Sequence, residues 1–450
     1  LIQSLKQLVQ QINAEYIGAD VSITGANMDS RAIKPGQLFV AIRAKRDGHD
    51  YIDNAIEKGA SALLVEKKQP HITIPQIVVK ESKKALFQLA MAWRNCLKMP
   101  VITITGSCGK TTTKEMLACV LKDQGHVHYA QGNFNNELGL PLSILSAPDN
   151  CDYLLLELGT NAPGEIAHLA TLAQPDIAGI TNVSASHLEK LISLDGVMEE
   201  KGALLNALGK KGVAIINLDD PRIATFSQTL SCQKVFVTAQ NKPQAGIHLI
   251  NYHDEENGFA YTVEVDGQCY KGQLYVFGLH NLHNMLMVLG YVHALGLDID
   301  KAIQSLKCFS GYKGRFSLHR LTAYVSLIDD TYNASVQSVE AAIESLSEFD
   351  GVRVLVLSNM GELGEMAVFY HQKIGQKIAK AGLDQVCLYG DQNLMSIMLH
   401  ETKGQNIALY HDKRTIVDTL KKYLKNKEKT RILVKGSRAN QMEEIVQALI

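Results

Sequence analysis

The chain alternates between two hydrophobic rhythms. Short β-branched or leucine-rich runs of four to seven residues recur, and between many of them apolar positions repeat at helical spacing. Residues 1–97 mix the two. Leu38–Ile42 reads as a strand after the polar loop Asp29–Gln37, Ala85–Trp93 has helical spacing, and Pro100 marks a break. From Val101 the order becomes strand, turn, helix, repeated. Val101–Thr105, Tyr153–Leu158, Ile177–Val183 and Val213–Asn217 are buried-strand candidates, and Lys110–Lys122 and Asn281–Leu295 are helices. Phe259–Val276 reads instead as two antiparallel strands around Asp266-Gly267, a hairpin turn signal. Beyond Lys313 the alternation resumes, with strands at Val325–Asp329, Val352–Leu357, Gln385–Tyr389, Ile407–Tyr410 and Ile432–Lys435. This pattern predicts an α/β protein of three domains: a small mixed α/β domain over 1–97, a central parallel-sheet domain over 98–312, and a Rossmann-like α/β domain over 313–450.

Composition narrows the function classes. With 46% hydrophobic residues over 450 positions the chain can bury substantial cores. Its 45 basic and 46 acidic residues leave a net charge of −1, which argues against bulk attraction to nucleic acid or anionic lipid. No run approaches the ~20 apolar residues that span a bilayer. Eight scattered cysteines without a CxxC pair fit reduced thiols, so a cytoplasmic protein without stable membrane insertion is expected.

The strongest chemical signal is Gly106-Ser107-Cys108-Gly109-Lys110-Thr111, between a predicted strand and a predicted helix. Glycines let backbone N–H groups approach phosphate oxygens, the helix N-terminus attracts negative charge, and lysine neutralises the terminal phosphates. The Thr111 hydroxyl is placed to ligate Mg²⁺. The usual Walker spacing would put glycine where Ile104 stands, so the loop is a shortened variant. ATP is the expected ligand. Glu157 closes the next buried run, where a carboxylate points into the ligand crevice at the carboxyl ends of parallel strands. His187 follows a neighbouring strand and can face the same crevice. Lys201 reads, on its own, as a solvated lysine near a helix start.

At this point nine segments align with a known family. ITGSCGKTTTKEM (104–116), GNFNNELGLPLS (132–143), LELGTNAPGEI (156–166), NVSASHLEKLISLDGVMEEKG (182–202), GLHNLHN (278–284), YKGRF (312–316), DDTYNAS (329–335), LVKGSRANQMEEIV (433–446) and DSRAIKPGQLFVAIRAKRDGHDYI (29–52) resemble the Mur ligases, the ATP-dependent amide-forming enzymes of peptidoglycan precursor synthesis. GNFNNE together with VKGSR resembles the type that adds D-alanyl-D-alanine (D-Ala-D-Ala) to UDP-N-acetylmuramoyl-tripeptide (UDP-MurNAc-tripeptide).

The resemblance implies roles. Gly106, Ser107, Cys108, Gly109, Lys110, Thr111 and Thr112 hold ATP phosphates, with His280, Asn281 and Asn284 near the nucleotide. Arg315 reaches the γ-phosphate and Asp330 the ribose. Thr111, Glu157, His187 and a CO₂-derived carbamate on Lys201 hold two Mg²⁺. The carbamate gives a lysine the oxygen ligands a hard cation prefers. Ser30 and Arg31 contact the UDP-sugar, and Asn135, Asn136, Lys435, Ser437 and Arg438 line the peptide region. Lys110, Glu157, His187, Lys201 and Arg315 form the catalytic set, in a monomer that binds no nucleic acid. Ser335, Gln337 and Lys190-Leu191-Ile192 depart from the family pattern. Two rivals remain: another amide ligase of the same fold, of Mur or folylpolyglutamate-synthase type, and an ATP-binding module without catalysis.

Overall fold

The structure is a computed structural model that describes residues 1–130, 132–240, 242, 244–255, 258–402, 406–425 and 427–450. Its described residues build three sheets. The first contains β1 (Glu15–Ile17), β2 (Ala26–Asn27), β3 (Leu38–Val40), β4 (Ala62–Val65) and β5 (Gln76–Val78) in the order β1-β5-β4-β3-β2, parallel except at β1.

The second contains β6 (Val101–Thr105), β7 (Val127–Tyr129), β8 (Tyr153–Glu157), β9 (Ile177–Ile180), β10 (Val213–Asn217), β11 (Gln233–Thr238), β12 (Ile247–Glu255), β13 (Gly258–Val265) and β14 (Gln268–Leu274). Their order is β14-β13-β12-β11-β10-β9-β6-β8-β7. The pairs from β7 to β12 are parallel, and β12, β13 and β14 extend the sheet as an antiparallel meander turning at Asp266-Gly267. The hairpin is therefore part of the central sheet, continuous with it through β12, a strand the hydrophobic pattern does not reveal. β6 is buried along its whole length, as expected of a strand covered on both faces. The helix His280–Ala294 packs against it: Tyr291 Oη donates to Thr103 O at 2.9 Å, and a Cβ at Gly179 would stand 2.5 Å from that hydroxyl.

The third sheet holds β15 (Ser317–Arg320), β16 (Val325–Asp330), β17 (Val352–Ser358), β18 (Gln385–Tyr389), β19 (Ile407–Tyr410) and β20 (Thr430–Lys435), ordered β15-β16-β20-β17-β18-β19 with only the edge strand β15 antiparallel.

The first unit is stapled to the second. Helix Ser82–Cys96 lies on helix Gly139–Leu145, Trp93 Nε1 donates to Ala147 O at 3.0 Å, and Arg94 donates to Ala173 O and Gln174 O at 2.8 Å each. Those two carbonyls end helix Glu165–Ala173, so a cation there also answers the helix dipole. The third unit meets the second across a polar cleft instead.

Candidate functional site

From β6 the chain goes to the edge strand β7, returns to β8 between them, and then crosses to the other side of β6, where β9, β10 and β11 follow outward in order. That reversal leaves a crevice beyond the carboxyl ends of β6, β8 and β9. The third sheet turns the carboxyl ends of β16, β17 and β20 towards the same space. A cleft of 1220 Å³ results, lined by both units.

The phosphate loop forms its floor. Gly106 (φ +152) and Gly109 (φ +80) are backbone necessities: a Cβ would stand 1.9 Å from Thr181 Oγ1 at the first and 2.4 Å from Asn284 Oδ1 at the second. The loop is clamped by the β9 exit. Ser107 N donates to Asn182 O at 2.9 Å, Cys108 N donates to Asn182 Oδ1 at 3.0 Å, and the Asn182 amide and Thr181 hydroxyl donate to Cys108 O at 3.0 and 2.5 Å. Lys110 Nζ curls back onto Gly106 O at 2.6 Å. Enclosure lowers its pKa, and the Glu157 carboxylate opposes that. Thr111 is buried, and its Oγ1 accepts from Arg315 Nη2 at 3.3 Å. The Arg315 guanidinium sits over the Tyr332 ring, its carbon 3.7 Å from the centroid, a cation–π contact that helps hold it in place.

Behind the loop, Asn284 Nδ2 donates to Asn281 Oδ1 at 3.0 Å, and Asn281 Nδ2 donates to Phe277 O at 2.7 Å. His280 is pushed down to about 4 by burial, with Lys435 and His283 adding to the effect, so its imidazole is neutral at physiological pH. Glu157 ends β8 as a buried carboxylate rather than a surface one. Oε1 accepts from Asn135 Nδ2 at 2.9 Å, whereas Oε2 is buried without a hydrogen-bond partner. The Lys114 ammonium stands 3.9 Å from Oε2, an ion pair too long to be a hydrogen bond, so this buried oxygen keeps the capacity for a closer donor or cation.

Lys201 differs most from its reading as a lone residue. It sits mid-way along helix Leu194–Asn206, not near its start, and it is 1% exposed, not solvated. The helix turns this face inward, because Val197, Met198, Leu204 and Leu205 share the buried side. Desolvation first and the nearby Lys110 cation second bring its pKa down to about 7. The preceding Glu200 is also buried and accepts from Thr160 Oγ1, Gly164 N and Ile166 N at 3.0, 2.6 and 2.7 Å, holding the chain after β8.

On the opposite wall, Asp330 and Lys435 face each other in register on β16 and β20, with Nζ 2.5 Å from Oδ2. Burial raises the Asp330 pKa and Lys435 opposes it. Asn135, Asn136, Ser437 and Arg438 line the cleft, while Gly106, Thr111, Lys201 and Asn281 stand behind its surface. Ser30 and Arg31 are not brought to it: Arg31 is exposed and forks onto Asp29 at 2.9 and 2.8 Å. The divergent Ser335 touches Cys108 across the cleft, Oγ to Sγ 2.9 Å, and Gln337 lines the wall.

Several residues here escape motif reading. Lys114, one helical turn beyond Lys110, is fully buried with Nζ 2.8 Å from Ala130 O and 3.9 Å from Glu157 Oε2; the i, i+4 spacing was its only signal. Glu362 pairs with His187 Nδ1 and has no local signature at all. Among the described residues no cluster of three His, Cys, Asp or Glu can hold a metal unaided. A cation at Glu157 would therefore draw on the Thr111 hydroxyl and on the ligand's own oxygens; the unpartnered Oε2 fits that role.

Fold and cleft together define a three-unit phosphate-loop protein whose third unit faces the phosphate loop across the cleft. Comparison with known proteins specifies the class. The Mur ligase middle domain matches residues 104–292, the Mur ligase glutamate ligase domain 314–438, and the Mur ligase family catalytic domain 22–94. The UDP-N-acetylmuramoyl-tripeptide–D-alanyl-D-alanine ligase of Escherichia coli (strain K12) is 35% identical over 447 residues, 99% of this chain and 98% of its own. A crystal structure of MurF from Acinetobacter baumannii superposes with a TM-score of 0.89 at 27% identity, covering 99% and 98% of the two chains. The MurF ligase of Thermotoga maritima, crystallised with ADP, gives 0.82 at 30% identity over 94% and 96%. The chain belongs to the Mur ligase family and, within it, to the MurF type.

Proposed function

We propose that the protein is an ATP-dependent carboxylate–amine ligase that joins D-Ala-D-Ala to the terminal carboxylate of UDP-MurNAc-tripeptide, completing the pentapeptide precursor of peptidoglycan. One arrangement carries the reading. Lys110, Arg315 on Thr111, and the half-partnered Glu157 converge on the floor of a cleft whose far wall presents Asp330 and Lys435.

A carboxylate oxygen is a poor leaving group, so the acid must first be activated. Its oxygen attacks the γ-phosphorus of ATP, giving an acyl phosphate and ADP. Lys110 and Arg315 stabilise charge on the transferred phosphoryl group. The dipeptide amine then attacks the acyl carbon, and the tetrahedral adduct expels phosphate. Mg²⁺, when bound beside Thr111 and Glu157, supplies further neutralisation of phosphate charge. With a pKa of about 7, Lys201 holds much of its amine unprotonated at neutral pH, the form that reacts with CO₂ to give a carbamate. Asp330 holds the ribose through the oxygen not engaged by Lys435. Asn135, Asn136, Ser437 and Arg438 face the peptide, and Ser30 and Arg31 face the UDP-sugar from the N-terminal unit. We take the domains as 1–97, 98–312 and 313–450, and the protein as a cytoplasmic monomer. Closure of the third domain keeps water from the acyl phosphate. Among the described residues no helix is long and apolar enough to cross a membrane.

The test is ADP release with UDP-MurNAc-tripeptides ending in diaminopimelate or lysine. D-Ala-D-Ala should support release with one of them, and single amino acids or glutamate should not. Equal release with glutamate would reject the proposal in favour of another amide ligase.

A further inference from the structure

Two residues with side chains meet across the cleft, and both carry left-handed backbone: His187 at φ +54 and Glu362 at φ +60. Outside glycine this conformation is strained and persists only where the surroundings enforce it. Around Glu362 they do. Met360 N donates to Nε2 of the fully buried His371 at 3.1 Å, and His371 Nδ1 donates to Ala367 O at 2.7 Å. Asn440 Nδ2 donates to Asn359 Oδ1 at 2.8 Å and to Ser358 Oγ at 3.1 Å. The loop beyond β17 is thus braced inside the third unit. From there its carboxylate pairs with His187 Nδ1 of the central unit, and Glu189 N approaches Glu362 O at 3.4 Å.

A carboxylate accepts a hydrogen bond and donates none, so it selects the ring form with hydrogen on Nδ1. In the neutral ring Nε2 is then the nitrogen with the lone pair, and the contact opposes turning of the ring. Because the two residues belong to different units, the selection exists only while the units are together. We propose that Glu362 is a positioning residue for His187: the third unit delivers the carboxylate that fixes the imidazole's tautomer and orientation, so that closure itself assembles this part of the site. The inference rests on the ligase reading of the cleft and adds a residue to it.

The experiment uses the full chain labelled with ¹⁵N in its histidine rings, with the H187N spectrum to assign the signals. Wild-type protein should show His187 protonated on Nδ1 and bare on Nε2. Glu362→Ala should give averaged tautomer signals and lower kcat by about 10- to 100-fold, the range for a residue acting through a ligating histidine. KM for ATP should stay within about threefold, since Glu362 does not touch the phosphate loop. Glu362→Gln, whose amide oxygen still accepts from Nδ1, should restore the wild-type ring signals and most of kcat. Glu362 is half exposed, so truncation opens no core cavity, and a melting curve confirms folding. Unchanged ring signals in Glu362→Ala, or failure of glutamine to restore them, overturns the proposal. Failure of the ligase reading would appear separately, as wild-type protein without dipeptide-dependent turnover whose ring signals remain readable.

Discussion

Replacing Lys201 by methionine should make the protein more stable and inactive at once. The folded pKa of Lys201 is about 7, against an ordinary value of 10.5. Between those pH values the unfolded chain binds a proton that the folded chain refuses. Stability therefore falls as pH drops from 10.5 towards 7 and is level below that. The gap of about 3.5 pH units, at about 1.4 kcal/mol each, sets a ceiling of about 5 kcal/mol on the penalty at neutral pH. Local relaxation and water penetration reduce it, so a gain of about 2 kcal/mol is the working expectation. Methionine keeps the length and apolar character of the lysine stem and carries no charge, which suits a helix face shared with Val197, Met198 and Leu204. For a unit of roughly 200 residues such a gain raises Tm by about 4–8 °C. The assay is differential scanning fluorimetry of both proteins from pH 6.5 to 10 in CO₂-free buffer, beside dipeptide-dependent ADP release. The two melting curves should diverge at pH 7 and converge near pH 10, while turnover by Lys201→Met is lost. A variant no more stable than wild type at pH 7, or a difference independent of pH, would refute the buried-amine argument. Full turnover by the variant would refute the carbamate.

Glu157→Gln removes the charge of a carboxylate whose Oε2 makes no hydrogen bond, while Lys114 keeps its pairing with Glu115 at 3.0 Å; it should cut turnover at least 100-fold and abolish its Mg²⁺ dependence while leaving Tm within a few degrees, as phosphate release and melting will show. Gly109→Ala places a Cβ 2.4 Å from Asn284 Oδ1 on a backbone at φ +80, so the ADP Kd measured calorimetrically should rise tenfold or more. Asp330→Asn leaves the fully buried Lys435 without its partner charge and should lower stability by about 3–5 kcal/mol in denaturant titration, with nucleotide affinity reduced as well. Arg94→Ala removes two 2.8 Å bonds to carbonyls of the central unit; it should cost about 2–3 kcal/mol and leave KM for ATP unchanged.

The sequence by itself determined the local elements. β6, the helix Lys110–Lys122 after the glycine loop, and the turn at Asp266-Gly267 follow from short-range rules: β-branched runs, a left-handed glycine before a helix, and an Asp-Gly dipeptide, suited to a tight hairpin, between two alternating runs. The phosphate loop was legible for the same reason, because its chemistry is held within six consecutive residues. Tertiary structure decided everything that depends on which strands become neighbours. Polar, half-exposed strands such as β11 and β12 carry no clear rhythm and exist because the sheet pairs them. Lys201 has the composition of a surface lysine, and only the packing of its helix buries it and moves its pKa. Asp330 meets Lys435 through a crossover of about a hundred residues, and Glu362 meets His187 across two units. A short pattern records backbone preference and amphipathic face; burial, charge pairing and the meeting of distant strands are properties of the assembled fold.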